Sequence, residues 1–422
     1  MNYLISRLEN GVTVATAAMP HMESVTVGIW VGVGGRHEPE SLCGISHFIE
    51  HMVFKGTRRR TAAEISQAVE GIGGYLNAFT SEENTCYFAK ASHDHFDDVL
   101  DVLADMYVEP LFAAGDVEKE RSVIKEELAM YLDQPQHHVQ ELLSATLWPN
   151  QPLGRSLTGT LQSLDAIRRQ HIVEYKRRKY IARNTIIAAA GRCEHARVVA
   201  SVERLLRAIR SGPAPRFQPA RNGHSGPRIT LHKRETEQTH LAMGFHSCSR
   251  VSPHRFKLKL LSVVLGENMS SRLFQVIRER HGLAYSVQTS TSYFADSGAF
   301  IVSAGLDRKQ LSKTLRLVLS ELGKIARKPP SESELRRAKD YAVGQMKLSL
   351  ESTTNQMMWV GEHLLGYGEI HDPNDIIRQV EAVTAEDLSR EARALFQERD
   401  LSFALVGPIE ERKTVESLLR IP

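Results

Sequence analysis

The sequence has 422 residues and a formal net charge of +3, and this length and charge exclude several classes of protein. A chain of this length exceeds the size at which one hydrophobic core usually stops growing, so we expect two domains. The small, interspersed charge disfavours a nucleic-acid partner, and no apolar stretch approaches the length of a membrane span. No secretory signal is visible at the N-terminus, so we expect a cytoplasmic protein without a membrane partner.

The first half of the chain predicts strands and helices in a mixed order. Alternating apolar residues predict a strand over 25–33. Further patterns predict helices near 43–55 and 61–71, strands near 75–80 and 84–90, a helix beginning near Asp116, and a strand over 185–191.

The second half repeats this order after a segment, 211–227, whose Pro and Gly content is typical of a linker. The patterns predict strands near 228–234 and 238–246, helices near 254–266 and 270–278, strands near 284–292 and 297–304, and a last strand over 401–407. We therefore predict an α+β protein of two homologous α/β-roll domains, each an antiparallel-rich sheet packed by helices. The predicted domains are residues 1–210 and 228–422, joined by the linker 211–227.

A possible metal site lies in the helix predicted near 43–55. His47 and His51 are four residues apart, so both imidazoles project from one helix face and can bind one zinc ion. Glu50 lies beside them, where its carboxylate can act as the general base on a zinc-activated water. Because the chain has 18 histidines, the pattern His-x-x-Glu-His can also arise by chance, and a third ligand is needed.

The helix that begins near Asp116 offers this ligand, because it carries glutamates within an apolar stripe. Glu120 and Glu127 are separated by only ~20° around a helix, whereas Glu126 points away from them. We therefore predict Glu127 as the third ligand. Two roles remain open for Glu120. It can support the site, by a hydrogen bond to a ligating imidazole or by holding the Glu127 helix in register, or it can form a buried ion pair with an arginine.

Only the first half can bind metal in this way, so we predict one Zn²⁺ per chain. The corresponding helix of the second half carries apolar residues instead, namely Leu260, Leu261, Val263 and Val264. The four cysteines show no C-x-x-C spacing, and we expect them to be reduced and mostly buried, with Cys43 a packing residue.

These residues resemble the pitrilysin/insulinase family of inverted zinc peptidases, whose signature is the same His-x-x-Glu-His followed by a distant glutamate on a later helix. The similarity continues through 74–83, 153–159, 269–274 and 278–285, and so covers essentially the whole chain. The chain looks most like the short subfamily that includes mitochondrial processing peptidase and its bacterial relatives. This resemblance implies a zinc metalloendopeptidase whose two subunits enclose a chamber that admits unfolded peptides and excludes folded proteins.

The resemblance also implies roles for residues that composition alone does not single out. Asn77 and Ala78 match positions of an edge strand to which the peptide substrate adds as a further strand. Arg278 and Tyr285 match an arginine and a tyrosine that reach the active site from the C-terminal region. In this comparison Tyr285 hydrogen-bonds the tetrahedral oxyanion, and Arg278 orients the substrate or Tyr285.

The resemblance further implies a homodimer, with a hetero-oligomer as an open possibility. The alternative function is that of a non-catalytic scaffold or partner subunit of the same fold. Such subunits typically lose the residues of the metal site. This sequence keeps the predicted ligands His47, His51 and Glu127 and the predicted base Glu50, so we favour catalysis.

Overall fold

The structure is a computed structural model that describes residues 2–224, 226–408 and 412–422. The strands of these residues are β1 Tyr3–Arg7, β2 Thr13–Ala18, β3 Ser24–Val31, β4 Tyr75–Thr80, β5 Thr85–Ser92, β6 Thr185–Gly191, β7 Arg228–Lys233, β8 Thr239–Ser247, β9 Ala284–Tyr293, β10 Gly298–Leu306 and β11 Leu401–Gly407. The helices are α1 Ile45–Val53, α2 Ala62–Glu70, α3 Phe96–Val108, α4 Ala114–Asp133, α5 Pro135–Leu147, α6 Leu161–Ala166, α7 Arg169–Lys179, α8 His195–Leu206, α9 His254–Leu265, α10 Leu311–Arg327, α11 Glu332–Ser349, α12 Thr353–Tyr367, α13 Pro373–Glu381, α14 Ala385–Leu395 and α15 Arg412–Leu418. A π-helical segment, Phe274–Arg280, lies between α9 and α10 in the chain.

Two mostly antiparallel sheets organise these elements. The strand order is β1-β2-β6-β3-β5-β4 in the first sheet and β7-β11-β8-β10-β9 in the second. Each sheet has one parallel pair, β2 with β6 and β7 with β11, and its other pairs are antiparallel. Apart from the additional β1, the second sheet repeats the strand order and the strand directions of the first. This repetition confirms the predicted α+β class with two homologous domains.

The chain folds into two compact units, each with one of the sheets. The first comprises Met1–Leu128, Ser156–Gln218 and Lys347–Asp372, and the second comprises Ala129–Arg155, Pro219–Met346 and Pro373–Pro422. Each unit therefore includes a segment from the opposite half of the chain. The segment predicted as a linker, 211–227, has no helix or strand where it is described, and its Ser225 lies outside the described residues.

In the first unit, α12 from the second half of the chain packs on β2, β3 and β6. Its Met357 and Val360 join a buried cluster with Trp30 of the sheet. Two glycines permit this close approach. A Cβ atom on Gly28 would lie 2.5 Å from the Met357 sulfur, and one on Gly361 would lie 2.2 Å from the Trp30 indole.

The second unit repeats this arrangement with α5, which comes from the first half of the chain and packs on β7, β8 and β11. Leu143 and Leu147 of α5 are buried against Ala242 of β8. A Cβ atom on Gly244 of β8 would lie 2.9 Å from a methyl group of Leu147. Gly28 and Gly244 thus play the same part in the two units, each beneath the helix that covers its sheet.

Two further sequence expectations concern membranes and cysteines. Within the described residues, the structure contains no helix with both the length and the hydrophobicity to cross a membrane. The four cysteines all lie in described residues and form no disulfide. Cys43 is buried, and its thiol donates a hydrogen bond to the Ser156 carbonyl oxygen (3.3 Å).

Candidate metal centre

Helix α1 has one buried face and one partly exposed face. Five apolar residues of the helix are fully buried, namely Ile45, Phe48, Ile49, Met52 and Val53. His47, Glu50 and His51 are partly exposed on the other face. The apolar residues therefore fix the rotation of the helix, and this rotation directs the three polar side chains to the same side.

A buried carboxylate fixes the start of this helix. The two carboxylate oxygens of Glu38 accept hydrogen bonds from the backbone N–H groups of Gly44 (2.6 Å) and Ser46 (2.8 Å). A carboxylate at a helix N-terminus satisfies N–H groups that have no partner within the helix and interacts favourably with the helix dipole. Gly44 has φ of +89°, and a Cβ atom there would lie 2.6 Å from the carbonyl oxygen of Thr158. The first turn of α1 therefore has a defined position.

Helix α4 brings Glu127 to the two histidines of α1. Its Oε2 lies 3.6 Å from Nε2 of His47 and 3.3 Å from Nε2 of His51. A tetrahedral zinc ion bound at its usual N and O distances holds neighbouring ligand atoms about 3.3–3.6 Å apart. The three ligand atoms thus fit a zinc ion, and no other group of three or more such side chains occurs within residues 2–224, 226–408 and 412–422. Glu126, the alternative on α4, is exposed.

The two imidazoles differ in their environments. Burial, together with the neighbouring His51, lowers the pKa of His47 to about 4, so that His47 is neutral at pH 7. Its Nδ1 is buried and has no hydrogen-bond partner among the described residues. Burial opposes protonation of His51 as well, but hydrogen bonds to Glu127 and Glu120 raise its pKa. A neutral imidazole nitrogen directed at a carboxylate oxygen is a suitable metal ligand.

Glu120 lies behind His51, on the side away from Glu127. Its Oε2 is 3.2 Å from Nδ1 of His51, and its Oε1 is 2.8 Å from Nζ of Lys55. Only 5% of Glu120 is exposed, so these two contacts compensate for the burial of a charge. Glu120 therefore makes both kinds of contact expected from the sequence, with the difference that its cationic partner is a lysine and not an arginine.

Glu50 lies outside this group of ligand atoms and has a partner of its own. The Thr80 hydroxyl, at the end of β4, donates a hydrogen bond to Oε2 of Glu50 (2.5 Å). Burial raises the pKa of Glu50, and the Thr80 hydrogen bond and the nearby His51 oppose this increase. The carboxylate is thus held beside the predicted ligands without joining them.

The structure places Asn77 and Ala78 on β4, which is an edge strand of the first sheet. Asn77 is exposed, its side-chain amide donates a hydrogen bond to the Tyr75 hydroxyl, and its Oδ1 accepts the N–H of Ala78 (2.7 Å). Within the described residues β4 pairs with β5 alone. A strand with one open side can accept a further strand.

Arg278 and Tyr285, which belong to the second unit, lie next to each other. The Arg278 guanidinium is 5.6 Å from the Tyr285 ring centre and 4.9 Å from that of Phe274. Tyr285 is 75% exposed near the start of β9, so its hydroxyl is available to a ligand. The structure therefore brings these two predicted residues together within their own unit.

Three residues of this site were not expected from the sequence: Glu38, Lys55 and Thr80. Lys55 follows His51 by four residues, and this helical spacing was the available signal for a contact near it. Glu38 and Thr80 have no comparable signal, because each contacts α1 from a different segment of the chain.

Comparisons with known proteins show to which family the chain belongs. Residues 13–161 match the family model described as insulinase (peptidase family M16), and residues 166–341 match the one described as the peptidase M16 inactive domain. The chain is 37% identical over 419 residues to an uncharacterized zinc protease of Mycobacterium leprae, and the match covers 98% of this chain and 94% of that protein. It is 36% identical over 400 residues to the uncharacterized zinc protease YmxG of Bacillus subtilis, and this match covers 95% of this chain and 97% of that protein.

Solved structures share the fold. A protease from Helicobacter pylori matches with a TM-score of 0.91 at 21% identity, and the match covers 96% of this chain and 99% of that one. A chain of complex III from Candida albicans matches with a TM-score of 0.85 at 19% identity, covering 99% of both chains. These identities show the fold alone. The family models and the zinc-protease relatives show more, namely that the chain belongs to the insulinase family of peptidases, family M16, as its resemblance to pitrilysin and insulinase predicted.

Proposed function

We propose that the protein is a zinc-dependent endopeptidase that hydrolyses short or unfolded peptides inside a closed dimeric chamber. One zinc ion per chain would be held by His47, His51 and Glu127. The observation that carries this proposal is the convergence of two Nε2 atoms and one carboxylate oxygen at distances suited to zinc, with Glu50 beside them. The relatives named zinc proteases support the same class of activity.

In the proposed reaction the side chains of this chain bind the metal and move a proton. Bound zinc supplies a Lewis acid that lowers the pKa of a water molecule and polarises the scissile carbonyl. Glu50 takes a proton from the attacking water while the water oxygen forms a bond to the carbonyl carbon. The carbon–nitrogen bond then breaks, and Glu50 returns the proton to the leaving amine.

The proposed substrate contacts use backbone recognition. A peptide that pairs with the open side of β4 near Asn77 and Ala78 gains main-chain hydrogen bonds with little side-chain selectivity. Tyr285 would donate a hydrogen bond to the developing oxyanion. The position of the Arg278 guanidinium against the Tyr285 ring favours a role for Arg278 in orienting this tyrosine.

A homodimer, a cytoplasmic location and the absence of nucleic-acid and membrane partners stay predictions from the sequence, as does the possibility of a hetero-oligomer. The alternative function, a non-catalytic scaffold or partner subunit, also stays open to test. The complex III chain has this fold, but its likeness shows the fold alone. The presence of all four residues of the metal site favours catalysis.

The test of catalysis is to incubate the purified protein with zinc and an unbiased library of peptides, and to identify products by mass spectrometry. We expect the natural sequence to cleave the library and Glu50→Gln to leave it intact while retaining zinc. An intact library with the zinc-loaded natural protein would indicate the non-catalytic alternative.

The test of the chamber compares one small domain in a compact folded form and in an unfolded variant of the same length. An enclosed site requires an extended substrate, so we expect cleavage of the unfolded form only, measured by gel. Equal cleavage rates would contradict the closed chamber while leaving the peptidase activity established.

A further inference from the structure

The general base proposed above accepts a hydrogen bond from Thr80, one of a pair of threonines at the end of a hairpin. Thr80 is the last residue of β4 and Thr85 the first residue of β5, and the two are opposite each other in the ladder. The Thr80 hydroxyl donates to Oε2 of Glu50 (2.5 Å) and lies 3.3 Å from the Thr85 hydroxyl oxygen. The Thr85 hydroxyl donates to the Val33 carbonyl oxygen (2.9 Å).

Counting hydrogens defines what each hydroxyl can do. A threonine hydroxyl has one hydrogen to donate and two lone pairs that accept. The hydrogen of Thr85 is used by Val33, so Thr85 can offer Thr80 only a lone pair. The hydrogen of Thr80 therefore has two acceptors within reach, the Glu50 carboxylate and the Thr85 oxygen.

Thr85 is well suited to be a fixed second acceptor. It is completely buried, and its neighbour Tyr180 is buried as well and hydrogen-bonds the Tyr87 hydroxyl (3.0 Å). Protein groups, and not bulk water, therefore surround this hydroxyl. Its position does not depend on rearrangement of solvent while a proton is transferred at Glu50.

The threonine pair is not required to close the hairpin. The turn between the strands is closed by hydrogen bonds between Ser81 and Asn84, including Ser81 N–H to the Asn84 carbonyl (2.8 Å) and the Ser81 hydroxyl to the same oxygen (3.1 Å). The Thr80 hydroxyl takes part in none of them. Its hydrogen bond to Glu50 is thus in addition to what the turn needs.

We propose that Thr80 is a positioning residue for Glu50 and that Thr85 is its second hydrogen-bond partner, an inference that rests on the proposed peptidase function. While Glu50 is a carboxylate, the Thr80 hydroxyl donates to it. When Glu50 has taken the proton of the attacking water, it donates to the Thr80 oxygen, and the Thr80 hydroxyl turns to donate to Thr85. Glu50 is therefore held in place by one hydroxyl in both of its forms.

The test uses Thr80→Val, which keeps the shape of the side chain and removes the hydroxyl, with Thr80→Ser as the matched variant that keeps it. A misplaced catalytic group can reduce the rate about 100-fold, so we expect kcat of Thr80→Val to fall roughly 10- to 100-fold. We expect KM and zinc content to remain within about twofold of the natural protein and Thr80→Ser to recover most of kcat. Thr85→Val should lower kcat in the same direction by a smaller factor, and Thr85→Ser should restore it.

The possible results separate this inference from the proposed function. An unchanged kcat in Thr80→Val, an equal loss in Thr80→Val and Thr80→Ser, or loss of zinc from Thr80→Val would overturn the positioning role. An unchanged kcat in a folded Thr85→Val, with folding checked by thermal unfolding, would remove Thr85 from it. If Glu50→Gln cleaves peptides as well as the natural protein does, the proposed function fails, whatever the threonine variants show.

Discussion

Glu126 and Glu127 are adjacent in sequence, but their environments in the structure differ. Glu127 faces the two histidines, whereas Glu126 is exposed. We predict that Glu127→Gln loses most of its zinc, because an amide oxygen is a weaker ligand than a carboxylate for this cation. Elemental analysis after dialysis would measure the zinc content of each variant, with Glu126→Gln as the matched control. Zinc loss in the control, or its retention in Glu127→Gln, would show that the ligand assignment is wrong.

A second residue-scale prediction concerns stability and pH at His246, in the second unit. His246 Nε2 donates to the Leu147 carbonyl oxygen (2.9 Å), and Nδ1 accepts the N–H of Gly223 (3.3 Å). A proton on Nδ1 would break the second of these bonds. Burial, together with the nearby His224 and Arg228, lowers the pKa of His246 to about 4, although the hydrogen bond to Leu147 acts in the opposite direction.

Because this pKa is lower in the folded than in the unfolded chain, the contribution to stability is complete above pH 6.5 and is lost as the pH falls through about 4. We expect His246→Gln, which keeps a donor for Leu147 but cannot titrate, to lose less stability over this range, by on the order of 2 kcal/mol. Denaturant unfolding from pH 8 to pH 4 measures this difference, and the values at pH 8 correct for the changed packing. If the free energies of unfolding of the natural protein and of His246→Gln fall equally between pH 8 and pH 4, His246 does not control this pH dependence.

How far the site could be predicted depended on which contacts lie within one helix. His47, Glu50 and His51 share α1, and helical spacing alone places them on one face. Glu127 is predicted as a ligand because it shares a face of α4 with Glu120. Thr80 contacts Glu50 from a strand, and nothing in the spacing of a single sequence indicates which strand end meets which helix.

Among the elements, α12 offers a direct test of its packing on the first sheet. A Cβ atom on Gly361 would lie 2.2 Å from the Trp30 indole, which is itself fully buried. We predict that Gly361→Ala lowers the free energy of unfolding by about 1–3 kcal/mol, the usual cost of overfilling a packed core. Denaturant or thermal unfolding would measure this change.

The matched control is Gly344→Ala in α11, where no atom lies within 4 Å of an added Cβ. Alanine in a helix interior is favoured over glycine by roughly 0.5–1 kcal/mol, so this control should be neutral or stabilising. If both variants were stabilised alike, α12 would not approach Trp30 as the structure shows.

The helices that cover the two sheets could not be assigned to them from the sequence. The sequence patterns predicted β3, α1, α2, β4 and β5 to within a few residues, although β3 and β5 are buried on both faces along most of their length. They did not indicate that α12 covers the first sheet and α5 the second, since an apolar stripe shows which face of a helix is buried but not against which sheet. Strands β1 and β2 were not predicted either.

At the scale of the whole molecule, the repeated order of strands and helices made the duplication predictable, and the two sheets confirm it. The proposed dimer raises a further question, namely which subunit supplies Tyr285 to the zinc site. The resemblance to the pitrilysin/insulinase family implies that in its longer, single-chain members the zinc ligands and the matching Arg and Tyr lie in opposite halves of one polypeptide. We therefore propose that in this shorter chain Tyr285 of one subunit serves the zinc of its partner.

This proposal predicts that two inactive variants restore each other's activity when mixed. After dissociation and reassociation, a dimer of His47→Ala with Tyr285→Phe has one site built from intact residues only and one site with both defects. Random pairing makes about half of the dimers mixed, and each has one good site of two, so activity should reach roughly a quarter of the natural value. The measurement is peptide cleavage before and after mixing, with each variant dissociated and reassociated alone as the control. If each site is instead complete within one chain, every site keeps a defect, and the mixture will show no more than the average of the two separate activities.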